Sequence, residues 1–268
     1  MTRKLQFIAV ATLSLTLAEA CSEITPLAPS RTLPLPPPPP PTGPTTLVVS
    51  GFVRTMPGRW CEGCTVEVMD GASAGTSVLT AANGQYSLSI SFAGDGSSVT
   101  LQASKNGYQP ATQTTRGGFV SFTLESSHPL DLTGTYDMTF EAGAQCTDLP
   151  ESVRRRQYVV TLAGRSRSVF VARPIMGTFD AFEMTWHVSD KEVAMVAARG
   201  DNGEIPGIVE RLGSDETINL YVFSDPAEIS AGAPIRIPVI GRFEHCKGNS
   251  ACSSCQWPQQ HRLTMTRR

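Results

Sequence analysis

The sequence lacks most of what a catalytic or nucleic-acid-binding chain carries. Basic charge is not in surplus: the formal balance is −2, and removing residues 1–20, with Arg3, Lys4 and Glu19, takes away one net positive charge and leaves −3. That excludes a strongly basic nucleic-acid binder. Histidine is scarce, with four in 268 residues, and no Ser-His-Asp set can be read from them. There is no phosphate-cradling glycine loop and no pair of carboxylates spaced for acid–base work. Helical periodicity is missing from the first half of the body. Beyond the first twenty residues no uncharged run reaches the length of a bilayer-crossing helix, so the processed chain is expected not to be transmembrane.

What is present begins with an address. M-T-R-K, an apolar stretch L-Q-F-I-A-V-A-T-L-S-L-T-L and A-E-A-C have the order of an export signal over residues 1–20. Ala18-Glu19-Ala20 fits ordinary secretion. The same bond puts Cys21 at the new terminus and resembles the lipobox of bacterial lipoproteins, with Ala18 where that family prefers leucine and Leu17 one place early. The resemblance implies a lipid on Cys21, anchored at the outer membrane or in the periplasm, and Ser22 behind it implies outer-membrane retention; free secretion is the alternative. Residues 21–46 follow as a linker in which Pro26, Pro29, Pro34, Pro36 to Pro41 and Pro44 forbid helix and sheet and favour polyproline II. At about 3.1 Å per residue such a tether reaches roughly 75 Å.

Residues 47–125 form the first folded unit. Short β-rich runs alternate with turn signals: L-V-V-S-G-F-V-R, C-T-V-E-V-M, T-S-V-L-T, Q-Y-S-L-S-I, S-V-T-L-Q-A-S and G-F-V-S-F-T-L. Asn83-Gly84 between two of them predicts a hairpin turn, and about seven strands in this length predict a β-sandwich. Gly51, Val53, Val66, Val68, Gly71, Asn83, Gly84, Tyr86, Leu88, Gly107, Tyr108, Phe122 and Leu124 stand in an order that resembles the carboxypeptidase regulatory-like domain, a transthyretin-like sandwich. The likeness covers nearly the whole unit and departs from the family at Cys61 and Cys64. It implies a non-catalytic module, a folding aid, spacer or binding domain with a carbohydrate-binding-like fold.

After a linker at 126–130, residues 131–268 alternate with period two. Tyr136, Met138 and Phe140 share one face, as do Phe182, Met184, Trp186 and Val188, then Ile218, Leu220 and Val222, then Ile235, Ile237 and Val239, then Leu263 and Met265. Eight or nine such strands predict an antiparallel β-barrel or sandwich. The opening L-T-G-T-Y-D-M-T-F resembles the first strand of lipocalin-like barrels. Arg154-Arg155-Arg156, the only basic cluster in the sequence, is expected in the last turn of a short helix capped by Asp148 and begun at Pro150.

Each chemical motif has a plainer reading. Trp60-Cys61-Glu62-Gly63-Cys64 looks like a redox C-x-x-C, which needs a helix immediately behind its first cysteine. Here T-V-E-V-M follows, a strand, so a disulfide between Cys61 and Cys64 is expected, worth roughly 2 kcal/mol on the loop-entropy model. Gly71-Ala72-Ser73-Ala74-Gly75 matches a nucleophile elbow but is also followed by a strand pattern rather than a helix. Cys246, Cys252 and Cys255 lie between His245 and His261 and can be read as a zinc site. An oxidising compartment favours bonds instead: Cys146 with Cys255, and Cys246 with Cys252. Trp60 and Trp257 flank cysteines in loops and are the candidate ligand contacts, stacking on a sugar or a partner protein. Packing on a disulfide is the commoner fate of such rings. Trp186 is read as core.

Taken together, the sequence predicts an all-β, non-catalytic cell-envelope lipoprotein with no cofactor and no metal. Its partners would be the membrane, through the anchor, and a glycan or an envelope protein. The alternatives are a carrier of a small apolar ligand in an open barrel, and a metal or redox protein using the C-terminal cysteines.

Overall fold

A computed structural model describes residues 45–94, 97–199, 205–230, 232–248, 251–256 and 261–268. The export signal, Cys21, the proline linker up to residue 44 and Trp257 lie outside the described residues. The protein is all-β. The first strands are β1 (Thr45–Thr55), β2 (Arg59–Trp60), β3 (Thr65–Val68), β4 (Ser77–Leu79), β5 (Gln85–Phe92), β6 (Val99–Ser104), β7 (Ala111–Thr115), β8 (Gly118–Phe119) and β9 (Phe122–Leu124). They make two sheets. In one, β1 lies between β2 and β5 on one edge and β8 and β9 on the other; the second runs β4-β3-β6-β7. Val49, Val53, Val66, Val68, Tyr86, Leu88, Ile90, Leu101 and Phe122 are buried between them. The alternation of β5, with Tyr86, Leu88, Ile90 and Phe92 inside and serines outside, shows how a period-two pattern selects one face.

Two expectations need correction here. Asn83-Gly84 does form a turn, with Gly84 at φ +74° and Asn83 Oδ1 accepting from the Gln85 amide at 3.1 Å. It is not a hairpin, because β4 and β5 belong to different sheets. The dipeptide supplies the left-handed backbone; burial decides which strands pair. The run 118–124 is also broken, since β8 and β9 pair successively with β1, both in parallel.

The second half contains β10 (Gly134–Glu141), α1 (Glu151–Arg154), β11 (Arg155–Gly164), β12 (Val169–Pro174), β13 (Phe179–Phe182), β14 (Met184–Val188), β15 (Glu192–Arg199), β16 (Ile205–Pro206), β17 (Ile208–Arg211), β18 (Glu216–Phe223), β19 (Ala227–Glu228), β20 (Ile235–Lys247), β21 (Ser253–Gln256) and β22 (His261–Arg267). Strands β10, β11, β12, β14, β15, β18, β20 and β22 pair antiparallel in sequence order, and β22 returns to β10. This is a closed eight-stranded up-and-down barrel, which leaves no sheet edge at the seam. Between β15 and β18 the wall parts after Ala197 and Val222, and β17, carrying β13, takes over the edge of β18.

The barrel is filled. Met138, Phe140, Val160, Met184, Trp186, Met195, Leu220, Phe243, Leu263 and Met265 are all fully buried in one core. Helix α1 is a single turn with Pro150 at its N-cap and no side-chain cap. Asp148 therefore does not cap it, and of the three arginines only Arg154 is helical; Arg155 and Arg156 open β11. Four residues are too few for a dipole to organise, and the strand pairing with β10 claims the rest. Among the described residues no helix is long and apolar enough to cross a membrane.

Candidate functional site

The outward face of the first sheet is built by even-numbered residues of β1: Val48, Ser50, Phe52 and Arg54. Their odd-numbered neighbours from Val49 to Thr55 are buried. Arg54 pairs with Trp60 of β2, so the two side chains share that face, and the Arg54 guanidinium lies 3.9 Å from the centre of the indole. Phe52 stands 5.3 Å from Trp60 and 5.7 Å from Phe119, centre to centre. The three rings form a continuous strip. Trp60 is 43% exposed and Phe119 65% exposed, which is unusual for rings of this size. A shallow groove of about 350 Å³ adjoins its Phe52–Phe119 part, lined by Phe52, Arg54, Phe119, Ser121, Phe122 and Thr123. Gln85, Ser87 and Ser89 of β5 face solvent on the adjoining strand.

The local sequence fixes this strip. Cys61 and Cys64 are bonded, with Cα atoms 5.7 Å apart, and both are buried. The Cys61 amide donates to Val53 O at 3.0 Å and the Gly63 amide to Thr80 O at 3.0 Å. Cys64 N donates to Thr80 Oγ1 at 2.9 Å, and that hydroxyl donates to Cys61 O. The C-x-x-C is thus a clamped turn leading into strand β3, and Trp60 is held at its entrance. Gly84 lies beneath the indole, where an added Cβ would meet Val53 O at 2.5 Å and the ring at 3.1 Å, so the turn that begins β5 must be glycine for Trp60 to lie over it. Underneath, the Tyr86 hydroxyl donates to Val120 O at 2.7 Å, and burial pushes its pKa up to about 12.

Trp60 therefore packs on Phe52 and Arg54 with much of its ring in solvent. Phe52, Arg54 and Phe119 were not visible as partners in the sequence. The alternation of β1 indicated which of its residues face outward, but the parallel placement of β8 beside β1, which brings Phe119 in, joins residues about seventy positions apart.

The other sequence candidates fall elsewhere. Cys146 bonds Cys255 and Cys246 bonds Cys252, with Cα separations of 5.4 and 4.2 Å. His245 Nε2 pairs with Glu216 Oε1 at 2.6 Å. His261 is buried against Phe243, 4.5 Å between centres; its Nδ1 accepts from the Gly143 amide at 3.1 Å, and burial lowers its pKa. Among the described residues no three His, Cys, Asp or Glu side chains are grouped to hold a metal. Ser73 of the G-x-S-x-G segment accepts from the Ser91 amide at 2.8 Å, tying its loop to β5. A cleft of about 280 Å³ opens at one barrel end beside Leu132, Tyr136 and Arg267, and two of its polar side chains bond to backbone carbonyls. The Tyr136 hydroxyl donates to Leu132 O and Arg267 Nη2 to Thr133 O.

No protein-family model and no curated protein matches the chain.

Proposed function

We propose that the protein is a non-catalytic, exported, lipid-anchored component of the bacterial cell envelope that binds carbohydrate along the Phe52–Trp60–Phe119 strip. On this reading the first half is a carboxypeptidase regulatory-like, carbohydrate-binding-like module, and the filled barrel is its base. The single observation that carries the reading is the row of three touching aromatic rings on one sheet face, Trp60 and Phe119 exposed and Phe52 half-buried between them. One face of a sugar ring presents apolar C–H groups of slight positive charge, which the negative face of an aromatic ring attracts. Flanking hydroxyls and amides from Ser87, Ser121 and Gln85 are suited to the sugar's own hydroxyls. A shallow groove, rather than a deep apolar cavity, suits a chain lying across the sheet.

The alternatives receive less support. A carrier needs an empty interior, and the barrel core is packed with buried side chains. A metal or redox role needs reduced cysteines, and the six described ones are bonded in pairs. A glycan array probed with the full chain tests the reading. Binding to a defined saccharide class that is lost, by about tenfold or more, in Trp60→Ala and in Phe119→Ala is the expected result, since stacking on one aromatic contributes about 1.4 kcal/mol or more. Capture of saccharides with equal strength by both variants would refute it. Mass spectrometry of the mature N-terminus tests the anchor: diacylglycerol on Cys21 is expected, and an unmodified terminus would contradict it.

A further inference from the structure

The fold gathers a basic surface that the sequence scatters. In the barrel wall formed by β12, β11, β10, β22 and β20, even-numbered residues of β10 and β11 point inward, as do odd-numbered residues of β20 and β22. The outward positions can then be read from the strand registers. One row across the wall is Arg155, Glu141, Arg262 and Pro238; the next is Gln157, Thr139, Thr264 and Arg236. Arg173 stands outward on β12 opposite Thr161, and Arg268 closes on Asp137 at 2.6 Å.

The wall therefore carries six arginines, at 155, 173, 236, 242, 262 and 268, against three carboxylates, Asp137, Glu141 and Glu244, the last paired with Arg242 at 3.0 Å. That is a surplus of three positive charges on a chain whose overall balance is −2. Glu141 is shared by Arg155 at 3.6 Å and Arg262 at 3.9 Å, so neither guanidinium is fully matched. Among the described residues Arg173 and Arg236 make no ion pair. Strands two apart set Arg155 and Arg262 about 10 Å from each other, a ladder of separate cations rather than a single pocket. Between the arginines the face carries hydroxyls and amides, Thr135, Thr139, Thr161, Thr264, Thr266 and Gln157, together with Val159, Val171 and Pro238.

We infer that this wall is a docking surface for an acidic polysaccharide, gripped by Arg155, Arg173, Arg236 and Arg262. Guanidinium forks match carboxylate and phosphate oxygens in a bidentate manner, and the threonines supply hydrogen bonds to sugar hydroxyls. A membrane surface is the competing occupant, because Ile175, just past β12 and bonded to Val159 of β11, is 52% exposed beside Arg173; the hydroxyls and amides set between the arginines favour the polysaccharide. The surface does not depend on the aromatic strip of the first half, so the two readings can fail separately.

The test is equilibrium binding of the full chain to polygalacturonate across a salt series, with phosphatidylglycerol vesicles as the lipid arm. Binding at about 50 mM salt that fades toward 1 M is expected, because these charges are exposed and screened. Arg236→Gln with Arg262→Gln should weaken binding about tenfold or more with an unchanged melting temperature. Glu141→Gln, which removes the shared carboxylate, should tighten it, and Arg211→Gln, an exposed arginine of β17 outside the wall, should leave it unchanged. The inference is overturned if the arginine variant binds like the parent, if salt has no effect, if vesicles bind more tightly than the polysaccharide, or if Arg211→Gln weakens binding as much as the wall variant does.

Discussion

Breaking the buried ion pair at the barrel end should cost far more than deleting it. Arg156 points inward from β11 and Glu210 inward from β17. Arg156 Nε donates to Glu210 Oε2 at 2.9 Å and Arg156 Nη2 to Oε1, while the Tyr158 hydroxyl donates to Oε2 at 3.0 Å. Arg156 Nη1 also reaches Ser152 O at 3.1 Å. The side chains of Arg156 and Glu210 are only 20% and 10% exposed. Burial works against the Arg156 charge, but the hydrogen bond and attraction from Glu210 outweigh it and raise its pKa. Burial first, and then the Glu210 charge, pushes the Tyr158 phenol up as well. Truncating one partner strands the other charge in a poorly hydrated site, at about 3–5 kcal/mol. Because Arg156 keeps some solvent, the lower end applies: about 3 kcal/mol for Arg156→Met or Glu210→Leu. The double variant removes both charges and should fall within about 1 kcal/mol of the parent, giving a coupling of several kcal/mol. Urea denaturation followed by tryptophan fluorescence measures all four corners of the cycle. Additive single effects, with coupling below about 0.5 kcal/mol, would show that the pair does not act as a unit and would refute the reasoning.

Three further outcomes follow from the same structure. Replacing Cys146 and Cys255 by serine opens a loop of 109 residues and should cost about 5 kcal/mol in thermal or urea unfolding, against about 2 kcal/mol for Cys61 and Cys64, three residues apart, on the entropy model; a larger loss from the short bridge would contradict it. His261 and His187 both have lowered pKa values from burial, so the unfolded chain takes up protons near 6.5 that the folded chain resists, and stability should fall as pH drops through about 6.5; His261→Gln should reduce that slope in a melting series from pH 8 to 5. Gly51→Ala places a Cβ 1.7 Å from Val120 O and should cost about 3 kcal/mol by forcing β1 from β8, seen as a lower denaturation midpoint.

The fold was largely legible in the sequence because β-sheet writes its period directly. The alternations at 136–140, 184–188, 218–222, 235–239 and 263–265 are the inward faces of barrel strands. The features that the local pattern does not mark are set by non-local pairing. Phe182 and Met184 keep the same alternation, yet the chain leaves the barrel at Glu183 so that β13 can pair with β17, and no local pattern marks that exit. Strand β7, Ala-Thr-Gln-Thr-Thr, has no apolar alternation because neither face of it is deeply buried. The aromatic strip was half visible: Trp60 stood out beside the cysteines, but Phe119 reaches it only through the parallel pairing of β8 with β1. The basic wall could not be seen at all, since Arg155, Arg173, Arg236 and Arg262 are brought together by barrel closure.

The most direct test of the central claim is NMR chemical-shift mapping of the full chain titrated with the saccharide selected on the array. The account predicts that the Trp60 indole Nε1 resonance and the amides of Phe52, Arg54, Phe119 and Ser121 shift together and saturate with one dissociation constant, while the resonances of Trp186 in the barrel core stay fixed. Shifts centred on the barrel interior, with the Trp60 resonance unmoved, would contradict it.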